Sequence, residues 1–348
     1  VSAPDKEIRI AWITPTVDQG GGYGRVASYL PGILQDWQNV HAVEWREEDW
    51  DRRISICSPR SYLMGKGPWP VEDLVLHTMF EAEPLPETWA RIINRAGAVW
   101  VPSQWCKRVF IESGVERPIW VSGYGVNEKT FHYRPRAEGQ PQWGSPYRFL
   151  WCGTSLGIEK HGFGGRKGGA LVIDAFRRLN LPDSQLVLKV SENSVIRKIA
   201  GDDRISVISE NLPLAGYIAL LDSADCFVYP SHGEGFGLQP LEAMALGKPV
   251  IATYYSGMTE YLDDSVAILL PDRGLEPATH YHRLYGEERS AWARISIDDL
   301  CDRMKWVYEH RHSASLIGMK AASRVAEQWT WRHAAEKARA TLETMIGG

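Results

Sequence analysis

The 348 residues are 44% hydrophobic and 24% charged, an ordinary globular composition at a length that implies two domains of comparable size. A formal net charge of −4 gives no global basic field for nucleic acid or an anionic membrane, and no apolar run approaches a membrane span. The five cysteines, at 57, 106, 152, 226 and 301, show no CxxC pair and no regular spacing, so reduced thiols in a cytoplasmic protein are expected.

The opening VSAPDKEIRI does not read as a signal peptide. Ile8 to Ile13 reads as a buried first strand, followed by a loop with Gly20, Gly21 and Gly22 and a helix from about Arg25 to Leu34 that Pro31 interrupts. Gly22-Tyr23-Gly24-Arg25-Val26-Ala27 fits G-x-G-x-x-A, with Glu44 at the distance of a ribose-binding acid, so a dinucleotide fingerprint is one reading of this loop. Several residues separate the strand from its glycines, which speaks against it. Val40 to Trp45 is a candidate second strand. Glu47 to Arg53 is a charge run that reads as a solvated loop or helix face; its Asp49-Trp50-Asp51 is an isolated Asp-x-Asp, without further metal-ligand spacing.

Val71 to His77 reads as a strand ending in histidine, and Ala98 to Pro102 as another, with Ser103 as N-cap of the helix QWCKRVFIESG. Ile119 to Val121 is a strand, and the Pro/Gly-rich stretch 135–146 marks a domain joint. Tyr147 to Cys152 opens the second domain and runs through a glycine-rich loop into the helix ALVIDAFRRLN. Arg166 and Lys167 stand just before that helix. A helix N-terminus favours anions, so two cations there call for a partner such as a diphosphate; a solvated pair is the alternative. Gln185 to Val190 and Arg204 to Ser209 continue the alternation of strands and helices expected of parallel sheets wrapped by helices. Ser191 to Asn193 and Glu210-Asn211 fall at strand ends, where a nucleotide base would lie.

Asp225 to Pro230 is a strand entering the loop SHGEGFG, with Glu234 between two glycines, and then a helix that holds Pro240 in its first turn and Glu242 soon after. The backbone N–H groups of Gly235, Phe236, Gly237 and Leu238 favour an anion at a helix N-terminus. The carboxylates of Glu234 and Glu242 suit hydroxyls. Pro249 to Thr253 and Ala267 to Leu270 are further strands, with Tyr254, Tyr255 and Ser256-Gly257 between them. Residues 271–295 read as a long polar insertion, and its His280 and His282 make a poor metal pair. Ser296 caps the helix IDDLCDRMKWVYEH, and a final helix spans about Trp331 to Met345.

The spacing Glu234-(seven residues)-Glu242, with EGFGL at its start and EAMALGKPV after it, resembles the retaining GT-B glycosyltransferases of the large group 1 family. That group includes mannosyl- and glucosyltransferases and glycogen synthases. The resemblance implies an α/β GT-B fold: two Rossmann-like doubly wound domains facing a central cleft, with a C-terminal helix crossing back to the first domain. The domains would be 1–140 for the acceptor, 146–330 for the nucleotide-sugar donor, and 331–348 for the returning helix.

The resemblance further implies a metal-independent transfer of a hexose-type sugar from a nucleoside-diphosphate sugar (UDP- or GDP-linked) to a hydroxyl acceptor, with no other cofactor. Arg166, Lys167 and loop N–H groups would stabilise the leaving diphosphate. Glu234 would hold the sugar and Glu242 the ribose. His77 would lie at the reaction centre, and Gly21, Gly22, Asn193 and Asn211 would line the donor. No residue stands out as a back-face nucleophile, which suits a front-face reaction. A saccharide, a lipid-linked compound or a small molecule could each be the acceptor. Nucleic acid is not expected, and peripheral contact with the inner face of a membrane stays open. A nucleotide-sugar-binding or sugar-rearranging protein and an NAD(P)-dependent oxidoreductase are the competing classes.

Overall fold

Short strand-length runs alternate with helices along the chain, the pattern that pairs as parallel strands wrapped by helices. The computed structural model describes residues 10–13, 26, 40–41, 52–56, 74–135, 143–153, 165–190, 202–285 and 288–347. The chain divides into two units, Val1–Gly125 with Thr330–Gly348, and Val126–Trp329. The sequence places the first boundary later, in 135–146. The division falls earlier because Phe131 is buried and meets Tyr217 edge-on at 6.5 Å, inside the second unit.

The first unit holds a parallel sheet in the order β2-β1-β3-β4-β5-β6. Its strands are β1 (Ile10–Ile13), β2 (Val40–His41), β3 (Arg52–Ile56), β4 (Leu74–His77), β5 (Ala98–Val101) and β6 (Ile119–Val121). The expected solvated face at Glu47–Arg53 does not extend to its end: Arg52 and Arg53 belong to β3, which pairs with β1 on one side and β4 on the other. Two parallel partners satisfy the backbone of a segment whose side chains alone would not mark it as a strand. Ser103 caps the helix Gln104–Glu112 as expected, its hydroxyl accepting from Cys106 N at 3.1 Å. The helix Trp331–Gly347 joins this unit. Ser122 Oγ donates to Ala334 O at 3.3 Å, and the Tyr124 and Trp331 rings lie 6.0 Å apart.

The second unit holds a parallel sheet of six strands, β7 (Tyr147–Cys152), β8 (Ser184–Lys189), β9 (Ile205–Ile208), β10 (Cys226–Tyr229), β11 (Val250–Thr253) and β12 (Ile268–Leu270). The spatial order is β12-β11-β10-β7-β8-β9, the doubly wound arrangement of a dinucleotide-binding fold. The order reverses between β7 and β10, so the loops leaving these two strands open a crevice at their carboxyl ends. The helix Gly169–Leu179 packs Val172, Ile173 and Phe176 on Phe149, Leu186 and Leu188, and Leu300, Met304 and Val307 of the helix Ile297–Glu309 join the same core. Ser296 caps that second helix, accepting from Asp299 N.

The polar insertion is more ordered than its sequence implies. β13 (Leu275–Pro277) and β14 (Ala291–Ala293) form an antiparallel ribbon, with the helix Thr279–Tyr285 between them. His280 and His282 lie on that helix, and His282 Nε2 is 2.7 Å from Ser290 O. Among the described residues no cluster of His, Cys, Asp or Glu could hold a metal ion, and no helix is long and apolar enough to cross a membrane. The Asp49-Trp50-Asp51 segment and the Gly22-Tyr23-Gly24 fingerprint lie outside the described residues.

Candidate functional site

The crevice between β7 and β10 is built from two loops. After β7 the chain reaches Arg166-Lys167-Gly168 and enters the helix Gly169–Leu179. Gly168 adopts φ +67, and a Cβ there would come within 2.2 Å of Pro230 O. Only glycine therefore lets this loop lie directly against the loop that leaves β10. The carbonyl of Arg166 accepts from His232 N at 2.7 Å, and Lys167 O accepts from the Trp151 indole at 2.9 Å.

After β10 the segment Pro230 to Gly237 carries Glu234 into the crevice. Its backbone is held from the next strand connection: Glu234 N donates to Ser256 Oγ at 2.8 Å, and Glu234 O accepts from Gly257 N at 2.9 Å. A Cβ on Gly257 would meet Gly235 O at 2.0 Å, so Gly257 allows this approach. Gly237 begins the helix Leu238–Ala245 at φ +87, and its carbonyl accepts from Tyr261 OH at 2.6 Å.

Glu234 is 8% exposed, and four groups converge on its Oε1. Tyr229 OH donates at 2.8 Å and Ser231 Oγ at 2.9 Å. Arg166 Nη1 lies at 2.8 Å and Lys167 Nζ at 3.9 Å. Burial alone would push this carboxyl up. The charges of Arg166 and Lys167 and the hydrogen bonds from Arg166 and Tyr229 outweigh it and bring the pKa down to about 2. The acid is thus an anion at every physiological pH. Lys167 Nζ also donates to Tyr229 OH at 2.6 Å and to Gln239 Oε1 at 2.8 Å. An anion inside a loop at a helix N-terminus, beside two cations, can hold hydroxyls on one side while the cations and N–H groups hold a diphosphate on the other.

Glu242 is 4% exposed and accepts from Tyr217 OH at 2.9 Å. Phe236 is 1% exposed, against Tyr261 and Trp329, and Leu238 is buried too. Of the sequence candidates, the structure gathers Arg166, Lys167, Glu234, Gly235, Phe236, Gly237 and Leu238 into one crevice, with Glu242 on the helix that follows. Asn211 follows β9 at the sheet edge and is exposed; β8 and β7 lie between β9 and β10. Gly21, Gly22 and Asn193 lie outside the described residues.

His77 ends β4 in the first unit and is 0% exposed. Burial lowers its pKa to about 3, so the ring is neutral. Its Nε2 lies 3.4 Å from Tyr124 OH, its Nδ1 has no hydrogen-bond partner among the described residues, and Trp100 stands at 5.2 Å.

Sequence reasoning missed Tyr229, Ser231, His232 and Gln239. All four flank Glu234 within one stretch, and a run of hydroxyl, imidazole and amide groups around a buried acid was the available signal. His232 is 8% exposed, with Nδ1 2.7 Å from Ala293 O and 3.2 Å from Glu276 Oε1. Its own carbonyl accepts from Ala293 N at 2.9 Å, and its ring lies 5.2 Å from that of Trp292. The β13–β14 ribbon therefore grips the residue two before Glu234.

Comparison with known proteins bears on the family and the fold. Residues 161–276 match the family model described as glycosyl transferases group 1. The GDP-mannose-dependent alpha-(1-6)-phosphatidylinositol dimannoside mannosyltransferase of Mycobacterium tuberculosis is 30% identical over 229 residues, which are 64% of this chain and 51% of that one. A putative glycosyltransferase of a Sulfolobus islandicus filamentous virus is 28% identical over 165 residues, 47% and 42% of the two chains. The chain thus spans about half the length of these curated relatives. Sucrose-phosphate synthase from Thermosynechococcus elongatus superposes with a TM-score of 0.69 at 14% identity, over 97% of this chain and 99% of that one. Anabaena HepE in complex with UDP and glucose gives 0.68 at 15%, over 97% and 100%. These likenesses carry the fold.

Proposed function

The chain carries the group 1 glycosyltransferase segment on a GT-B fold, and from that premise we propose that it is a retaining, metal-independent transferase. It moves a hexose-type sugar from a nucleoside-diphosphate sugar to a hydroxyl acceptor. The observation that carries the reading is the buried Glu234 carboxylate, ion-paired with Arg166 and close to Lys167 at the point where the strand order reverses.

In this reading the second unit binds the donor and the first unit the acceptor. Breaking the bond from the anomeric carbon to the phosphate oxygen leaves negative charge on the diphosphate and an oxocarbenium-like sugar. Arg166, Lys167 and the N–H groups at the start of the helix Leu238–Ala245 stabilise the leaving group, the task a divalent cation performs elsewhere. Glu234 accepts from sugar hydroxyls and fixes the anomeric carbon. Glu242 supports the ribose. The acceptor oxygen bonds the anomeric carbon on the face the diphosphate leaves, its proton passes to a phosphate oxygen, and configuration is retained. The neutral His77 ring, whose Nδ1 has no partner among the described residues, suits a hydrogen bond to a hydroxyl. Its complete burial means that a hydroxyl reaches it only after neighbouring groups move.

Among the similar proteins, one is described as GDP-mannose-dependent and another binds UDP and glucose, so both bases belong in the test. Calorimetry with UDP-, GDP-, ADP-, CMP- and TDP-sugars and with NADH, with and without EDTA, measures binding, and chromatography detects released nucleotide. One nucleoside-diphosphate sugar that binds and turns over slowly in EDTA supports the proposal. Binding of NADH alone overturns it.

A further inference from the structure

Two oppositely charged side chains in one buried crevice normally collapse into direct contact, because their attraction grows as the medium dries. Lys167 and Glu234 do not. Lys167 Nζ stops 3.9 Å from Oε1, while Arg166 Nη1 reaches 2.8 Å from the same oxygen. The Tyr229 hydroxyl stands between them, 2.6 Å from Lys167 Nζ and 2.8 Å from Glu234 Oε1. Its roles are fixed by its neighbours: an ammonium can only donate and a carboxylate can only accept. The phenol oxygen therefore accepts from Lys167 while its proton is donated to Glu234. Burial holds Tyr229 protonated, its pKa raised well above the usual value. The ring is 1% exposed, stacked on Phe227 at 5.7 Å, with Lys167 Nζ 5.0 Å from its centroid, so the hydroxyl has no alternative position nearby. With Ser231 Oγ and Arg166 also within 2.9 Å of Oε1, that oxygen has no lone-pair direction left for the ammonium.

We propose that Tyr229 is a positioning residue, whose hydroxyl spaces the Lys167 ammonium away from Glu234 and so keeps the cation set for the donor's diphosphate. Without the hydroxyl, Oε1 loses one donor, and Lys167 moves in to replace it as a contact ion pair. The ammonium, with three N–H donors, then turns one of them from the ligand to Glu234, whereas the Arg166 guanidinium, with five, can hold Glu234 and a phosphate at once. This inference rests on the proposed function, since it assumes a diphosphate as the ligand.

The test is Tyr229→Phe, which removes one oxygen and keeps the ring. Thermal unfolding and circular dichroism establish that the variant is folded. Calorimetry then compares UDP and GDP with the corresponding nucleosides, and the same titrations are run on Lys167→Ala and on the double variant. The expected result is a loss of about tenfold to a hundredfold in nucleoside-diphosphate affinity, the effect of one hydrogen bond to a charged group, with nucleoside affinity unchanged. The double variant should bind no more weakly than Lys167→Ala alone, because both changes remove the same cation. Equal losses for diphosphate and nucleoside, additive losses in the double variant, or wild-type affinity in Tyr229→Phe would each overturn the spacer role and leave the transferase reading standing. A wild-type chain that binds neither diphosphate overturns both together. If Tyr229→Phe fails to fold, Tyr229→Leu and Tyr229→Met, which fit within the volume of the ring, serve as the hydroxyl-free variants under the same criteria.

Discussion

Arg166 Nη1 and Glu234 Oε1 lie 2.8 Å apart across the reversal in strand order, one on the loop from β7 and the other on the loop from β10. The pair has a stability consequence that can be read without any substrate. The pKa of Glu234 is about 2 in the folded chain against an ordinary 4.5. A carboxylate with a depressed folded pKa stabilises the fold fully above its unfolded value, and that contribution is lost as pH falls through 4.5 toward 2. The whole effect is on the order of 3 kcal/mol. Glu234→Gln keeps the shape and cannot titrate. Urea unfolding at about pH 7 and about pH 3, on either side of the unfolded value, should therefore show a smaller pH-dependent loss in the variant than in wild type. Parallel losses would mean that Glu234 titrates near its ordinary value.

The same substitution separates charge from shape in the reaction. A glutamine can still accept from Tyr229 and Ser231, but Arg166 and Lys167 lose their buried counter-charge. Turnover of the donor should fall by about a hundredfold or more. Lys167→Ala should fall comparably. Arg166→Lys should recover only part of the activity lost in Arg166→Ala, because a point charge cannot form the paired hydrogen bonds of a guanidinium. Steady-state kinetics on the donor identified by calorimetry measures all four. Wild-type rates in both Glu234→Gln and Lys167→Ala would show that the chemistry lies elsewhere.

Gly168 tests whether the two loops must touch. Its φ of +67 and the 2.2 Å approach a Cβ would make to Pro230 O penalise any side chain twice. Gly168→Ala should cost more than about 1 kcal/mol in unfolding free energy and displace Lys167, its neighbour. Gly165, on the same loop, has open space where a Cβ would sit, so Gly165→Ala should be close to neutral. Denaturant melts of the two variants give the comparison, and equal stabilities would show that the loop shifts to accommodate a methyl group.

What was legible in the sequence was whatever chemistry is local. Glu234, its glycines and the start of the next helix are contiguous, and Arg166-Lys167-Gly168 is a short signal before an amphipathic helix. Parallel strands such as Cys226–Tyr229 and Val250–Thr253 are continuous apolar runs. Arg52–Ile56 was not legible, since its strand state comes from neighbours on both sides and not from its own composition. The helix Arg311–Gln328 escaped for a different reason. Its buried face is made of Ala314, Gly318, Ala321, Ala322 and Val325, small residues that make a faint periodic signal. They let the helix approach closely: a Cβ on Gly318 would meet Gly247 O at 2.3 Å. The insertion read as loop because its anchor, His232, lies far from it in sequence.

That anchor yields the last prediction. The family match ends at residue 276, so most of the ribbon lies beyond the matched segment, yet β14 holds His232 by both backbone and ring. His232 in turn bonds Arg166 O through its own N–H, so one residue ties the ribbon to both loops of the crevice. The hydrogen bond to His232 also holds the Glu276 carboxyl below its usual range, against the effect of its partial burial. His232→Ala removes the side-chain bonds and keeps the backbone ones. The global stability cost should be modest, about 1–3 kcal/mol for the orphaned acceptors, while turnover should fall further than stability explains, because the loop that carries Glu234 loses its side-chain tie to the ribbon. His232→Asn, whose amide N–H can approach the Ala293 carbonyl, should recover part of that loss. Comparing kcat and KM with unfolding free energies for both variants decides the matter: a drop in stability with unchanged kcat would reduce His232 and the ribbon to scaffolding.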